Sequence, residues 1–132
     1  MIPTPDFMNE GSTLLESILE RAREIGRQLA RTDEYQAVKR ANDRLGEDRE
    51  TVSMMNRLGD LEDQITSYLR TGREPTPEIQ QEYEKVATEI QRKPAYQAVV
   101  AGQANFDRLM MRIQEEIARG IEAGEQSRII LP

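Results

Sequence analysis

Six carboxylates crowd positions 47–63: Glu47, Asp48, Glu50, Asp60, Glu62 and Asp63. Paired carboxylates perform acid–base chemistry when their surroundings push their pKa values apart. These six fall in polar stretches, so ordinary surface charge is the expected state. The chain has no histidine to act as a base near neutral pH and no cysteine to act as a thiolate or zinc ligand. Glu-x-x-His pairs of the kind that hold a di-iron centre in a helical bundle cannot exist here. No glycine-rich phosphate loop occurs. The expectation is no catalytic residue, no metal site, no disulfide and no cofactor.

Two further sets of residues could do binding rather than bond-making chemistry. Arg23, Arg27 and Arg31 follow one another at four-residue spacing, opposite an apolar stripe. They make a candidate docking strip for an acidic partner or RNA. Glu20 and Glu24 stand three residues before the first two, which favours a solvated, salt-bridged face. The doublets Met54-Met55 and Met110-Met111 could line an adaptable partner groove or fill a core. The apolar end "RIILP" could fold back on the bundle or insert into a partner.

The chain behind these residues is 132 residues long, which suits one domain or one subunit of an oligomer. Charged residues supply 32% and aromatics 5%, a thin core supply for a lone globule. The net charge of −6 disfavours direct binding to nucleic-acid backbones. The opening "MIPTPDFMNEGS" lacks the pattern of a signal peptide, and no window approaches a membrane span. Cytoplasmic placement is expected.

Helical periodicity runs throughout, with no strand pattern. Residues 1–11 carry two prolines and a glycine, and a flexible arm is expected there. Thr13 and Glu16 have capping-box spacing, followed by a stripe of Leu15, Ile18, Ala22, Ile25 and Leu29. Thr32 can cap a second helix bearing Tyr35, Val38, Ala41 and Leu45, which "GEDRE" interrupts. A third helix shows Met54, Met55, Leu58, Leu61, Ile65, Tyr68 and Leu69 on one broad face and ends near Gly72. Thr76-Pro77 opens a fourth helix with a narrow stripe of Ile79, Tyr83, Val86 and Ile90. Pro94 opens the fifth, expected to reach about Ala123 and so to be about 45 Å long. The expected fold is an all-α antiparallel bundle of four to five helices with long first and last helices, a single domain over 12–123, and a tail over 124–132.

The fifth helix is apolar most of the way round. Val99, Phe106, Leu109, Met110, Ile113, Ile117 and Ile121 make one face; Tyr96, Val100, Ala104 and Met111 make a second arc. One hairpin partner covers only one face, so a second subunit is expected on the other, giving a homodimer with Val100 and Met111 near the interface. Met54, Met55 and Leu58 offer an alternative interface. The tetrapeptide Tyr-Gln-Ala-Val occurs at 35–38 and again at 96–99. Each copy falls one turn into a helix that follows a break. Tyr35 and Val38, like Tyr96 and Val99, are therefore expected to anchor helix starts.

Read in order, the pieces "RTDEYQAVKRANDRLGEDRE", "SYLRTGREPTPEIQQEYEKVATEIQRKP" and "AYQAVVAGQANFDRLMMRIQEEIARGI" resemble the YlbF/YmcA family of small bacterial helical regulators. The resemblance spans roughly positions 12–122. It implies an all-α, non-enzymatic, oligomerising protein whose partners are itself, other family members and a complex containing the endoribonuclease RNase Y. It also implies an influence on mRNA processing and developmental control. Some members carry a cysteine-rich tail that helps hold an iron–sulfur cluster. This chain ends "GEQSRIILP" without cysteine, so no cluster is expected. The alternative function is a structural or chaperone-like helical oligomer with no link to RNA processing.

Overall fold

The computed structural model describes residues 4–130, with side chains described over 13–126. Within those residues the chain is all-α, with five helices: α1 (Thr4–Leu29), α2 (Asp33–Glu47), α3 (Arg49–Arg70), α4 (Pro77–Gln91) and α5 (Pro94–Ile130). The first and last helices are long, 26 and 37 residues.

The breaks are local chemistry. Thr32 has extended backbone and its hydroxyl accepts from the Tyr35 amide at 3.1 Å, satisfying one of the free N–H groups that every helix start presents. Thr76 serves α4 in the same way, with Pro77 following where a missing N–H costs nothing. Gly72 takes a positive φ of 74°, and the amides of Gly72 and Arg73 bond back to Leu69 and Tyr68. That is a Schellman close, which only glycine makes without strain. One residue, Asp48, separates α2 from α3. Its amide bonds to the Leu45 carbonyl, while its carboxylate accepts from the Thr51 amide at 3.1 Å and the Thr51 hydroxyl at 2.9 Å.

The helices pair antiparallel, α2 on α5 and α3 on α4. The chain runs outward along α2 and α3, turns at 71–76, and returns along α4 and α5. Each of these four helices thus has one main neighbour, which keeps the core small. Leu61, Ile90 and Thr51 are fully enclosed, with Ala41 and Ala95 nearly so. The junctions of the two arms meet: the Lys93 ammonium, between α4 and α5, reaches the Glu50 carboxylate at the start of α3 at 2.8 Å. Glu50 holds the Lys93 pKa above its ordinary value.

Two expectations about the ends change. α1 begins at Thr4, so Thr13 and Glu16 lie inside a continuous helix and do not cap its start. A proline at position 5 sits in the first turn, where helices accept it, so it does not delay the start. At the other end α5 continues through Gly124 to Ile130, because a single glycine inside a long helix costs only about 1 kcal/mol. The side chains of the N-terminal arm and of "RIILP" lie outside the described residues, and with them the docking expected for that tail.

Candidate interaction surface

The site begins with a seam that is closed. Gly102 is buried on α5, and a Cβ placed there would stand 3.5 Å from the Val38 Cα on α2. The two backbones approach closely because this position has no side chain. The Tyr35 and Phe106 rings meet edge to face, 5.8 Å between centroids and 60° apart. Val38, Val99, Leu109, Met110 and Ile113 are half-buried. This seam covers α5 only as far as α2 reaches. Beyond it, Ile117 and Ile121 continue the same face and are exposed.

The two Tyr-Gln-Ala-Val segments do matching jobs. The Gln36 amide nitrogen donates to the Ala30 carbonyl at 2.8 Å, and Gln97 donates to the Gln91 carbonyl at 2.9 Å. Each glutamine reaches back six residues to satisfy a carbonyl at the end of the preceding helix. Tyr35 and Tyr96 are both half-buried. They differ in surroundings: Tyr35 has Phe106, whereas Tyr96 lines a shallow groove.

That groove, of about 280 Å³, brings together Tyr96, Val100 and Ala104 with Gln91, Gln97 and Ala101. Three members of the outer arc of α5 thus share one surface, with Val100 half exposed. Met111 is exposed further along α5 and does not line it. Met54, Met55 and Leu58 belong to the α3–α4 hairpin and do not line it either. Met54 and Leu58 are half-buried there, and Met55 is exposed.

α1 is the part that the periodicity placed on a core and the structure leaves bare. Among the described residues it forms no extended packing with any other helix. Leu15 and Ile18 are each 55% exposed, and Leu14, Leu19 and Ile25 are exposed beside them. The doublet "LL" at 14–15 and the pair Ile18-Leu19 were the available signal, since they make the stripe wider than a single packing line. Where the end of α1 passes α5, an open cleft of about 730 Å³ is lined by Ile25, Leu29, Leu109, Ile113 and Ile117, with Arg112 and Glu116 among its polar residues.

The polar face of α1 is laced together. Arg23 lies 2.6 Å from Glu20, and Arg27 lies 3.0 Å from Glu20 and 2.8 Å from Glu24. Hydrogen bonds from these guanidiniums hold both carboxylates below their ordinary pKa values. Arg31 lies at the exposed end of the strip. The carboxylates of 47–63 divide by task. Asp48 is a helix cap whose pKa is lowered by the Thr51 amide and hydroxyl, the opposite of what a proton donor near neutrality needs. Glu50 pairs with Lys93, and Glu62 lies 3.5 Å from the Tyr83 hydroxyl. Among the described residues no three His, Cys, Asp or Glu side chains gather as a metal site.

A family model described as "Control of competence regulator ComK, YlbF/YmcA" matches residues 18–122, from the middle of α1 to the outer part of α5. The chain belongs to the YlbF/YmcA family. It is also similar to a UPF0342 protein of Streptococcus mutans serotype c (strain ATCC 700610 / UA159), 26% identical over 110 residues that cover 78% of this chain and 97% of the relative. A UPF0342 protein of Limosilactobacillus reuteri (strain DSM 20016) is 23% identical over 109 residues, 83% of this chain and 89% of the relative. The regulator character expected from the YlbF/YmcA resemblance agrees with the family description. No described helix is long and apolar enough to cross a membrane.

Proposed function

We propose that this YlbF/YmcA member is a non-enzymatic, cytoplasmic protein–protein interaction module. It acts as a regulator that associates with itself, with other family members and with an RNase Y-type endoribonuclease complex, and so bears on mRNA processing and developmental control. Family membership over 18–122 carries this reading. The physical support is the surface: α1 and α5 display Leu15, Ile18, Val100, Met111 and Ile117 to solvent on well-formed helices. Large apolar residues grouped on a rigid face mark contact sites. The arginines of α1 add a polar flank, with Arg31 beyond the ion-paired run.

The test is affinity capture of the full chain from its native cell, paired with mapping of transcript ends in a deletion strain. Recovery of an RNase Y-type nuclease and altered processing of its transcripts are expected. Recovery of unfolded polypeptides with unchanged transcript ends would replace this reading with the structural or chaperone-like one.

A further inference from the structure

One solvent-facing side of the α2–α5 seam carries a row of arginines. Arg40 and Arg44 stand one turn apart on α2, and Arg108 and Arg112 stand one turn apart on α5. Two open depressions, of about 560 and 270 Å³, are lined by all four between them. The depressions share Ala37, Arg40 and Asn105, so they form one trough. Between the arginines its lining is small: Ala37, Ala41, Ala98, Ala101 and Gly102. We infer that this trough is a docking groove for an acidic helix of a partner protein. The inference rests on the interaction-module reading above and deepens it by naming a surface and the chemistry of what it binds.

The first support is charge. All four guanidiniums are exposed, and among the described residues none is held in an ion pair. α1 shows the contrast, since Arg23 and Arg27 are taken up by Glu20 and Glu24. Arg108 donates to the Asn105 side-chain oxygen, which fixes it beside the trough and leaves most of its N–H groups for a ligand. The carboxylates lining the trough are Asp33 and Glu34, at the end nearest the start of α2. The surface is therefore cationic on a chain whose net charge is −6. Such a patch steers an acidic partner to itself.

The second support is spacing. Residues four apart on a helix lie about 6 Å apart along it. Each bank of the trough thus repeats at the interval at which carboxylates repeat on an acidic helix. From Ala98 to Arg112 the trough runs about 21 Å along α5, at 1.5 Å per residue, room for about four turns. The alanine and glycine lining lets a third helix settle between α2 and α5. Its carboxylates then lie level with the guanidiniums, which bind a carboxylate through two parallel N–H bonds.

The third support separates a protein from RNA. Among the described residues no aromatic side chain lines either depression, and Tyr35 and Phe106 meet each other inside the seam. A single nucleic-acid strand is held by base stacking as well as by charge. It also cannot omit the phosphates that would face Asp33 and Glu34, whereas a peptide can place a neutral or basic residue there.

Fluorescence anisotropy on the full chain tests this. The probe is a labelled, alanine-based helical peptide of about 20 residues with glutamates four apart. Binding is expected, and it should weaken as salt rises. The same peptide with glutamine for glutamate, and an RNA of similar length, should each bind at least roughly tenfold more weakly. Arg40→Gln with Arg108→Gln should weaken binding of the glutamate peptide roughly tenfold while the helical melt by circular dichroism is unchanged. If that pair disturbs folding, Arg44→Gln with Arg112→Gln carries the same expectation. Arg23→Gln with Arg27→Gln should leave binding as in the wild type. Arg40→Glu with Arg108→Glu should reverse the preference, so that a lysine version of the peptide binds instead. A wild type that ignores the glutamate peptide overturns the inference. So does equal binding of the glutamine peptide, equal loss in the α1 variant, or tighter binding of the RNA. Nuclease capture by a wild type that ignores the peptide removes the groove and keeps the regulatory reading. Peptide binding with no nuclease captured does the reverse.

Discussion

The α2–α5 seam and α1 are built from similar amphipathic sequence and end in opposite states. On the seam, Gly102 lets α5 approach the backbone of α2, and Tyr35 closes on Phe106. On α1, Leu15 and Ile18 sit at equally regular spacing and stay more than half exposed. Periodicity therefore marks which face of a helix needs a partner but carries no address for that partner. The address is written in shape: a glycine opposite a backbone, a ring opposite a ring.

Deleting side chains on the two sides should separate them most clearly. Leu61→Ala or Ile90→Ala removes an enclosed side chain and should cost about 2–5 kcal/mol in denaturant melts. Ile18→Ala makes a comparable deletion on α1. It should leave the dilute protein within about 0.5 kcal/mol of wild type, with a cost that grows with protein concentration. Equal costs at high dilution would erase the distinction.

The seam itself is tested by enlarging Gly102. Gly102→Leu forces α2 and α5 apart and should cost about 1–3 kcal/mol. Gly102→Ala brings its Cβ to an ordinary contact distance of 3.5 Å from Val38, and should be neutral or stabilise by up to about 1 kcal/mol through helix propensity. Gly120→Ala, with nothing within 4 Å, supplies the propensity gain alone.

The repeated tetrapeptide permits a finer comparison. Tyr35→Ala removes a half-buried ring and its edge-to-face contact, and should cost about 2 kcal/mol; Tyr96→Ala removes a half-buried ring without an aromatic partner among the described residues, and should cost about 1 kcal/mol. A larger loss at Tyr96 would make the α5 groove part of the core.

The smallest effect is at the α2–α3 break. The folded Asp48 pKa lies below its ordinary 3.8 because the Thr51 amide and hydroxyl bond the carboxylate. A depressed carboxylate stabilises fully above its ordinary pKa, and that contribution is lost as pH falls through the lower folded value. Asp48→Asn keeps an oxygen for the Thr51 amide and should flatten this acid limb. Melting midpoints measured between pH 5 and pH 2 check it, and an unchanged acid limb would remove Asp48 from the account.

Much of the architecture was legible because it rests on neighbours in sequence. Thr32, Thr76-Pro77, Gly72 and Pro94 punctuate the helices through bonds that span a few residues. The all-α class and the long first and last helices followed from period and composition. Tyr35 and Val38 were expected one turn into α2, and both are half-buried there. Asp48 as the single-residue hinge was missed, although Asp-x-x-Thr is an N-cap spacing. The start of α1 at Thr4 was missed because prolines near the beginning resemble a break until the backbone shows one of them in a first turn.

By itself, the sequence determined the helix boundaries at Thr32, Gly72, Thr76-Pro77 and Pro94, which faces are apolar, and that this chain has no histidine or cysteine. These are short-range or compositional properties. Only the tertiary structure decided that α5 packs on α2, that Gly102 makes that approach possible, and that α1 forms no extended packing with another helix among the described residues. Those outcomes depend on contacts between residues dozens of positions apart, where close packing selects among faces that hydrophobic burial alone would treat as equivalent.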